Sequence, residues 1–147
     1  MAFRSWLLLP VVAVAFAGGY VARGAGHPVA VVHAAAADRV FEMRTYVASA
    51  GKLDAVKTRF RDHTIGIFNR HGMESIGYWT PADGPGAGTT LVYIIAHASR
   101  EQAVKNWAAF NADPEWIKVR TASNVDGNIV ARADSMFLNP VDFSPIK

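Results

Sequence analysis

The spacing of hydrophobic positions changes several times along the chain, and each change marks an element. Val40–Val47 alternates, with Phe41, Met43, Thr45 and Val47 on one face and Val40, Glu42, Arg44 and Tyr46 on the other, which predicts a strand. Beyond Gly51 the period lengthens. Leu53, Val56, Phe60, His63 and Ile67 recur at three- and four-residue steps, the stripe of an amphipathic helix, and Gly72 supplies a stop after His71. Met73–Thr80 reads as a second strand. Thr90–Ala98, the most apolar segment, reads as a central one, and the Gly- and Pro-rich stretch Thr80–Gly88 joins the two.

The second half repeats the plan. Ser99-Arg100-Glu101-Gln102 is a capping-box sequence that opens a helix through Asn111. Asp113-Pro114-Glu115 opens a further helix, with an acid at the cap, Pro in the first turn and a second acid near the positive end of the helix dipole. Gly127 ends it, and Asn128–Leu138 returns as the last strand. The order β-α-β-β-α-(α)-β predicts an α+β domain of the ferredoxin-like, split βαβ type. Its helices cover one sheet face. The other face would expose apolar area, so a homodimer partner is expected there.

Before Asp38 the pattern is different. Arg4 precedes an uncharged run from Trp6 to Ala22, and Ala35-x-Ala37 satisfies the small-residue cleavage rule. Residues 1–37 thus read as a secretory signal cut between Ala37 and Asp38, with residues 38–147 as the exported domain. The long stretch from Gly24 to Ala37 keeps an uncleaved N-terminal anchor as the alternative, in which case this segment is the chain's contact with the membrane. Either outcome places the domain outside the cytoplasmic membrane, periplasmic or secreted if cleaved and membrane-anchored facing the periplasm if not.

Composition narrows the chemistry. The 147 residues include no cysteine, which excludes disulfide scaffolds, Cys-based metal sites and thiol nucleophiles. Of the 15 basic residues, Arg4 and Arg23 lie in the leader; the remaining 13 face 12 acids, and the two signs alternate. The domain therefore has no basic face of the kind that binds nucleic acid. His27, His33, His63, His71 and His97 do not fall at metal-ligand spacing, so neither a metal nor a cofactor is expected. The Gly84–Gly88 run precedes a strand rather than a helix and is no phosphate loop.

His63 is the leading catalytic candidate. It sits on the apolar stripe between Phe60 and Ile67 and should point inward, where an imidazole is suited to proton abstraction; the structural alternative is a hydrogen-bonded core histidine. Glu42 and Arg44 share a strand face with Tyr46. Arg132 and Asp134 on the last strand are expected opposite them, forming either a charge ladder or a carboxylate base with an anion clamp. Trp107 and Phe110 read as core, whereas Tyr78, Trp79 and Trp116 are suited to walling an apolar pocket together with Arg44 and Tyr46.

Taken together, Val40-Phe41-Glu42-Met43-Arg44-Thr45-Tyr46, His71-Gly72-Met73 with Gly77-Tyr78-Trp79, Arg100-Glu101 leading to Trp107, Phe110 and Asp113-Pro114-x-Trp116, and the tail Leu138-Asn139-Pro140-Val141-Asp142-Phe143-Ser144-Pro145 resemble the NIPSNAP family. The resemblance covers Arg39–Lys147. It implies a ferredoxin-like protomer pairing sheet to sheet into a dimeric α+β barrel. It implies no settled activity, because relatives on the wider fold include cofactor-independent monooxygenases, haem-degrading enzymes, isomerases and binding proteins. The expectation is a binder of a small apolar ligand or of a protein partner. The alternative is a cofactor-independent monooxygenase- or isomerase-type enzyme using His63, with Tyr78 or Arg44 as polar partner.

Overall fold

A computed structural model describes residues 39–147. The leader, whether cleaved after Ala37 or kept as an anchor, lies outside the described residues. The chain runs β1 (Val40–Ala48), α1 (Leu53–Arg59), a π-helical turn (Phe60–Thr64), α2 (Ile65–Arg70), β2 (Glu74–Trp79), β3 (Thr90–His97), α3 (Arg100–Ala112), α4 (Pro114–Ser123) and β4 (Val130–Leu138). The four strands form one sheet in the order β2-β3-β1-β4, every neighbouring pair antiparallel. This is the α+β, ferredoxin-like arrangement, and its central strands are the two segments of clearest apolar patterning.

The helices pack on the sheet face that carries Leu91, Tyr93 and Ile95 of β3. Val56, Phe60, Ile67, Phe68 and Phe110 close the core from above. Local signals set the helix starts. Ser99 Oγ accepts from the Gln102 amide at 3.1 Å, but the Gln102 side chain turns to Asn106 Oδ1 (2.7 Å), so only half of the capping box forms. Asp113 Oδ1 accepts from the Glu115 and Trp116 amides at 2.8 and 3.2 Å, which fixes where Trp116 enters the core.

Three expectations are corrected. His63 faces solvent, not the core. The helix widens at Phe60–Thr64, where the Ile65 amide bonds back to the Phe60 carbonyl, five residues earlier, and Thr64 Oγ1 donates to the Arg59 carbonyl at 3.2 Å. A wider turn advances each residue by a smaller angle. The fourth residue after Phe60, Thr64, therefore returns to the core face in place of the third, His63. Second, β4 pairs with β1 in a register that sets Asp134 opposite Thr45 and Arg132 opposite Val47. These two charges lie on the other sheet face from Glu42 and Arg44 and pair with each other at 2.9 Å.

Third, the face away from the helices is not wholly bare. The C-terminal tail folds back across one end of it, where Val141 and Ile146 line a shallow pocket together with Phe41, Ile76 and Ile94, and Arg39 Nη1 donates to the Lys147 carbonyl at 2.9 Å. Phe41 there is 6% exposed. Met43, Val92 and Ile94 stay half-buried and Met136 is exposed on the same face.

Candidate functional site

The densest polar arrangement is built on the helix-covered face around Glu42, which is fully buried. Its Oε1 accepts from Arg44 Nη1 and Ser135 Oγ, each at 2.7 Å, and its Oε2 accepts from Trp107 Nε1 at 2.6 Å and His97 Nε2 at 3.1 Å. The donors come from β1, β4, α3 and β3, so the carboxylate ties four elements together. Asn106 Nδ2, held by the Gly72 carbonyl at 3.1 Å, lies 3.4 Å from His97 Nδ1. The amide is placed to donate, so Nδ1 accepts and the ring proton sits on Nε2, facing Glu42. Burial alone would raise the Glu42 pKa. The bonds from His97, Trp107, Ser135 and Arg44 outweigh it and bring the group from 4.5 down to about 2.

Arg44 is one of the two half-buried donors in this network. Glu42 holds one arm of its guanidinium, whose carbon lies 4.4 Å from the centroid of the Trp107 ring and 5.6 Å from that of Tyr46. Burial works against the charged form, but the Tyr93 and Tyr46 hydroxyls and Glu42 outweigh it and raise the pKa further. The β4 residues facing the helices here are small: Ser135 stands opposite Arg44 and Ala133 opposite Tyr46. Both are exposed, and Arg44, Tyr46 and Trp107 are only half-buried. The outer strand therefore leaves a way in from solvent.

A second arginine lies deeper. Arg59 is 6% exposed, sits 5.2 Å from the Trp116 ring centroid and donates through Nη1 to Ser123 Oγ at 3.1 Å. Burial lowers its pKa, opposed by the Tyr46 and Tyr93 hydroxyls, which thus lie within electrostatic reach of both guanidiniums. Among the described residues four buried side-chain polar atoms lack a hydrogen-bond partner: Arg44 Nε, Arg59 Nε, Tyr93 Oη and Trp116 Nε1. All four are donors. Unpaired buried donors are rare in native proteins, so each of the four marks a place where an acceptor would be favoured.

The structure brings some of the sequence candidates together and separates others. Arg44 and Tyr46 adjoin directly. Trp116 is buried, tilted against Phe110 at 4.5 Å and beneath Arg59. Tyr78 stacks on Tyr93 at 5.7 Å and bonds Ser75 Oγ through its hydroxyl at 2.6 Å, inside the aromatic core. Trp79 leaves this group. It follows Tyr78 on β2, so it points to the opposite face, where it is 51% exposed and its ring lies over Gly77. A Cβ at Gly77 would fall 2.4 Å from that ring, so any larger residue there would displace Trp79 from its present position. His63 lines a separate groove with Arg59, Lys118 and Ser123. Glu42, read as ladder or base, is the hub, and Trp107, read as core, is a donor to it. His97 was weighed only as a metal ligand and set aside, and Asn106 and Arg59 were not anticipated; of these two only the basic residue at position 59, between Val56 and Phe60, left a signal in the pattern. Among the described residues no group of three or more His, Asp or Glu is placed to hold a metal ion, and no helix is long and apolar enough to cross a membrane.

The NIPSNAP family model matches residues 41–145, which is most of the chain and all of the sheet but Val40. The chain belongs to the NIPSNAP family. Among solved structures, this NIPSNAP chain is similar to a NIPSNAP family protein of unknown function from Agrobacterium tumefaciens (27% identity, TM-score 0.66, covering 76% of this chain and 96% of that one). It is also similar to an uncharacterised NIPSNAP-like domain protein from Burkholderia xenovorans (23% identity, TM-score 0.64, 74% and 90% covered). SnoaB, a cofactor-independent oxygenase from Streptomyces nogalater, shares the fold at 13% identity with a TM-score of 0.51, covering 74% of this chain and 99% of that one. No curated protein matches the NIPSNAP chain.

Proposed function

We propose that this NIPSNAP protein is an exported homodimer that binds a small, mainly apolar and flat organic molecule carrying one acidic oxygen. The observation that carries the reading is Arg44. Its guanidinium lies against the Trp107 and Tyr46 rings, is held by Glu42 on one arm, keeps an unpaired buried Nε, and is reached past Ala133 and Ser135. Aromatic walls take the flat apolar body, and the free donor takes the oxygen.

The oxygenase named among the fold relatives suggests the rival reading, and the geometry favours binding over it. Proton abstraction needs a base beside the ligand. Glu42 is held near pKa 2 by four donors, and His97 uses Nε2 on Glu42 and Nδ1 on Asn106. His63 lies in a different groove. The dimer is supported by the half-buried Met43, Val92 and Ile94 and the exposed Met136 on the face away from the helices, which a second copy would cover. Export is supported by the apolar run after Arg4 and by Ala35-x-Ala37.

The test is calorimetric titration with 1-naphthoate against its neutral analogue 1-naphthalenemethanol. The carboxylate is expected to bind, and Arg44→Met to weaken it by about 10- to 150-fold, the value of a hydrogen bond to a charged group. Equal affinity for the neutral compound, or unchanged binding in Arg44→Met, overturns the reading.

A further inference from the structure

A groove of about 660 Å³ runs between the α1–π-turn segment and α4, apart from the Arg44 site. Its walls combine apolar and polar positions, with Ala55, Val119 and Ala122 beside the cations Arg59 and Lys118 and the imidazole of His63. We propose that this groove is a second binding site, for a small carboxylate with an apolar tail, anchored by Arg59.

Arg59 carries the argument. A guanidinium cannot shed its charge inside a protein, and a buried charge without a partner is strongly unfavourable. Among the described residues no carboxylate pairs with Arg59; its contacts are the Trp116 ring, Ser123 Oγ and an Nε with no acceptor at all. The other cation at the groove, Lys118, is exposed and adds attraction at the rim, where the exposed His63 ring supplies a further polar contact. Glu115 is the one acid lining it, and Arg70 holds that carboxylate at 2.8 Å. An anion entering here thus meets a positive floor whose nearest negative charge is already paired. One planar fork with one adjacent hydroxyl suits a carboxylate, and the apolar wall residues suit a short hydrocarbon tail.

The backbone beneath Arg59 is built for the position. The π turn starts at the next residue, and Thr64 Oγ1 donates to the Arg59 carbonyl at 3.2 Å. Such turns cost helical hydrogen bonding and recur at functional sites. Here the same turn that swings His63 out of the core delivers it to the groove.

NMR titration of the full chain with octanoate, with octanol as the neutral control, tests this. The Arg59 Nε–H resonance and the amides of His63 and Ala122 are expected to shift saturably with octanoate and not with octanol. Arg59→Met should weaken binding at least tenfold, about 1.4 kcal/mol. Ala122→Glu, at an exposed position on the wall, should do the same while far-UV circular dichroism is unchanged, which covers the case in which Arg59→Met fails to fold. Arg44→Met should leave these shifts in place. The proposal is overturned if octanol shifts the same resonances, if Ala122→Glu binds octanoate as well as the parent, or if the shifts centre on Arg44 and Trp107. That last outcome would leave the Arg44 reading standing.

Discussion

Replacing Glu42 by Gln keeps the side chain's size and removes its charge, and the consequence can be worked out from the network. The carboxyl pKa falls from 4.5 to about 2 on folding. At about 1.4 kcal/mol per unit, ionised Glu42 stabilises the fold by about 3 kcal/mol at neutral pH. Because the folded pKa is the lower one, this contribution is complete above pH 4.5 and fades as pH falls towards 2. Glu42→Gln should therefore unfold at lower urea than the parent at pH 7, with a stability deficit of about 3 kcal/mol. The amide meets four donors with a single acceptor oxygen and brings an N–H₂ of its own, so no rearrangement of Arg44, Ser135, Trp107 and His97 satisfies all of them. The deficit should narrow by about 2 kcal/mol between pH 7 and pH 3, as the parent loses its own contribution. Urea denaturation of both proteins at the two pH values measures this directly. A deficit below about 1 kcal/mol at pH 7, or one that is the same at pH 3, would show that Glu42 is not the electrostatic hub described here.

Further expectations concern the helix phase, the sheet face and the leader. His63→Ala should change stability by no more than about 0.5 kcal/mol, whereas Thr64→Val, which removes the buried hydroxyl's bond to the Arg59 carbonyl, should cost about 1 kcal/mol; the reverse order in urea melts would mean that His63 is the buried one. Val92→Glu puts a charge on the face away from the helices and should yield a monomer in analytical ultracentrifugation where the parent sediments as a dimer; a monomeric parent refutes the dimer. Sequencing of the exported protein should begin at Asp38, and a membrane-bound form that retains Met1 would support the anchor instead.

The strands and their order were legible because alternation and apolar runs are local, and so are the Ser99 and Asp113 caps. The site was less so, for reasons that differ by residue. His63 was assigned inward by counting at α-helical pitch, but the π turn between Phe60 and Thr64 resets the count, and no pattern in the residues themselves announces it. Arg132 and Asp134 were placed beside Glu42 because strand pairing was foreseen while register was not; a one-residue difference moves a side chain to the other face. Tyr78 and Trp79 looked like one aromatic wall, although neighbours on a strand always point apart. Glu42 itself was noticed, but its role depends on donors from four elements and becomes visible only once the fold assembles them.

The small residues at positions 133 and 135 bear on how such a protein diversifies. Both sit on an exposed outer strand, where substitutions ordinarily change stability by only a few tenths of a kcal/mol. Both also stand at the approach to Arg44 and Tyr46. If Arg44 binds a ligand as proposed, its preference can drift at Ala133 through bulkier or more polar side chains without drawing on the narrow margin by which a domain of this size stays folded. Ser135 is less free, because its hydroxyl is one of the four donors to Glu42. Neutral variation and specificity therefore meet at a single side chain, and natural relatives that differ in what they bind should differ first at position 133.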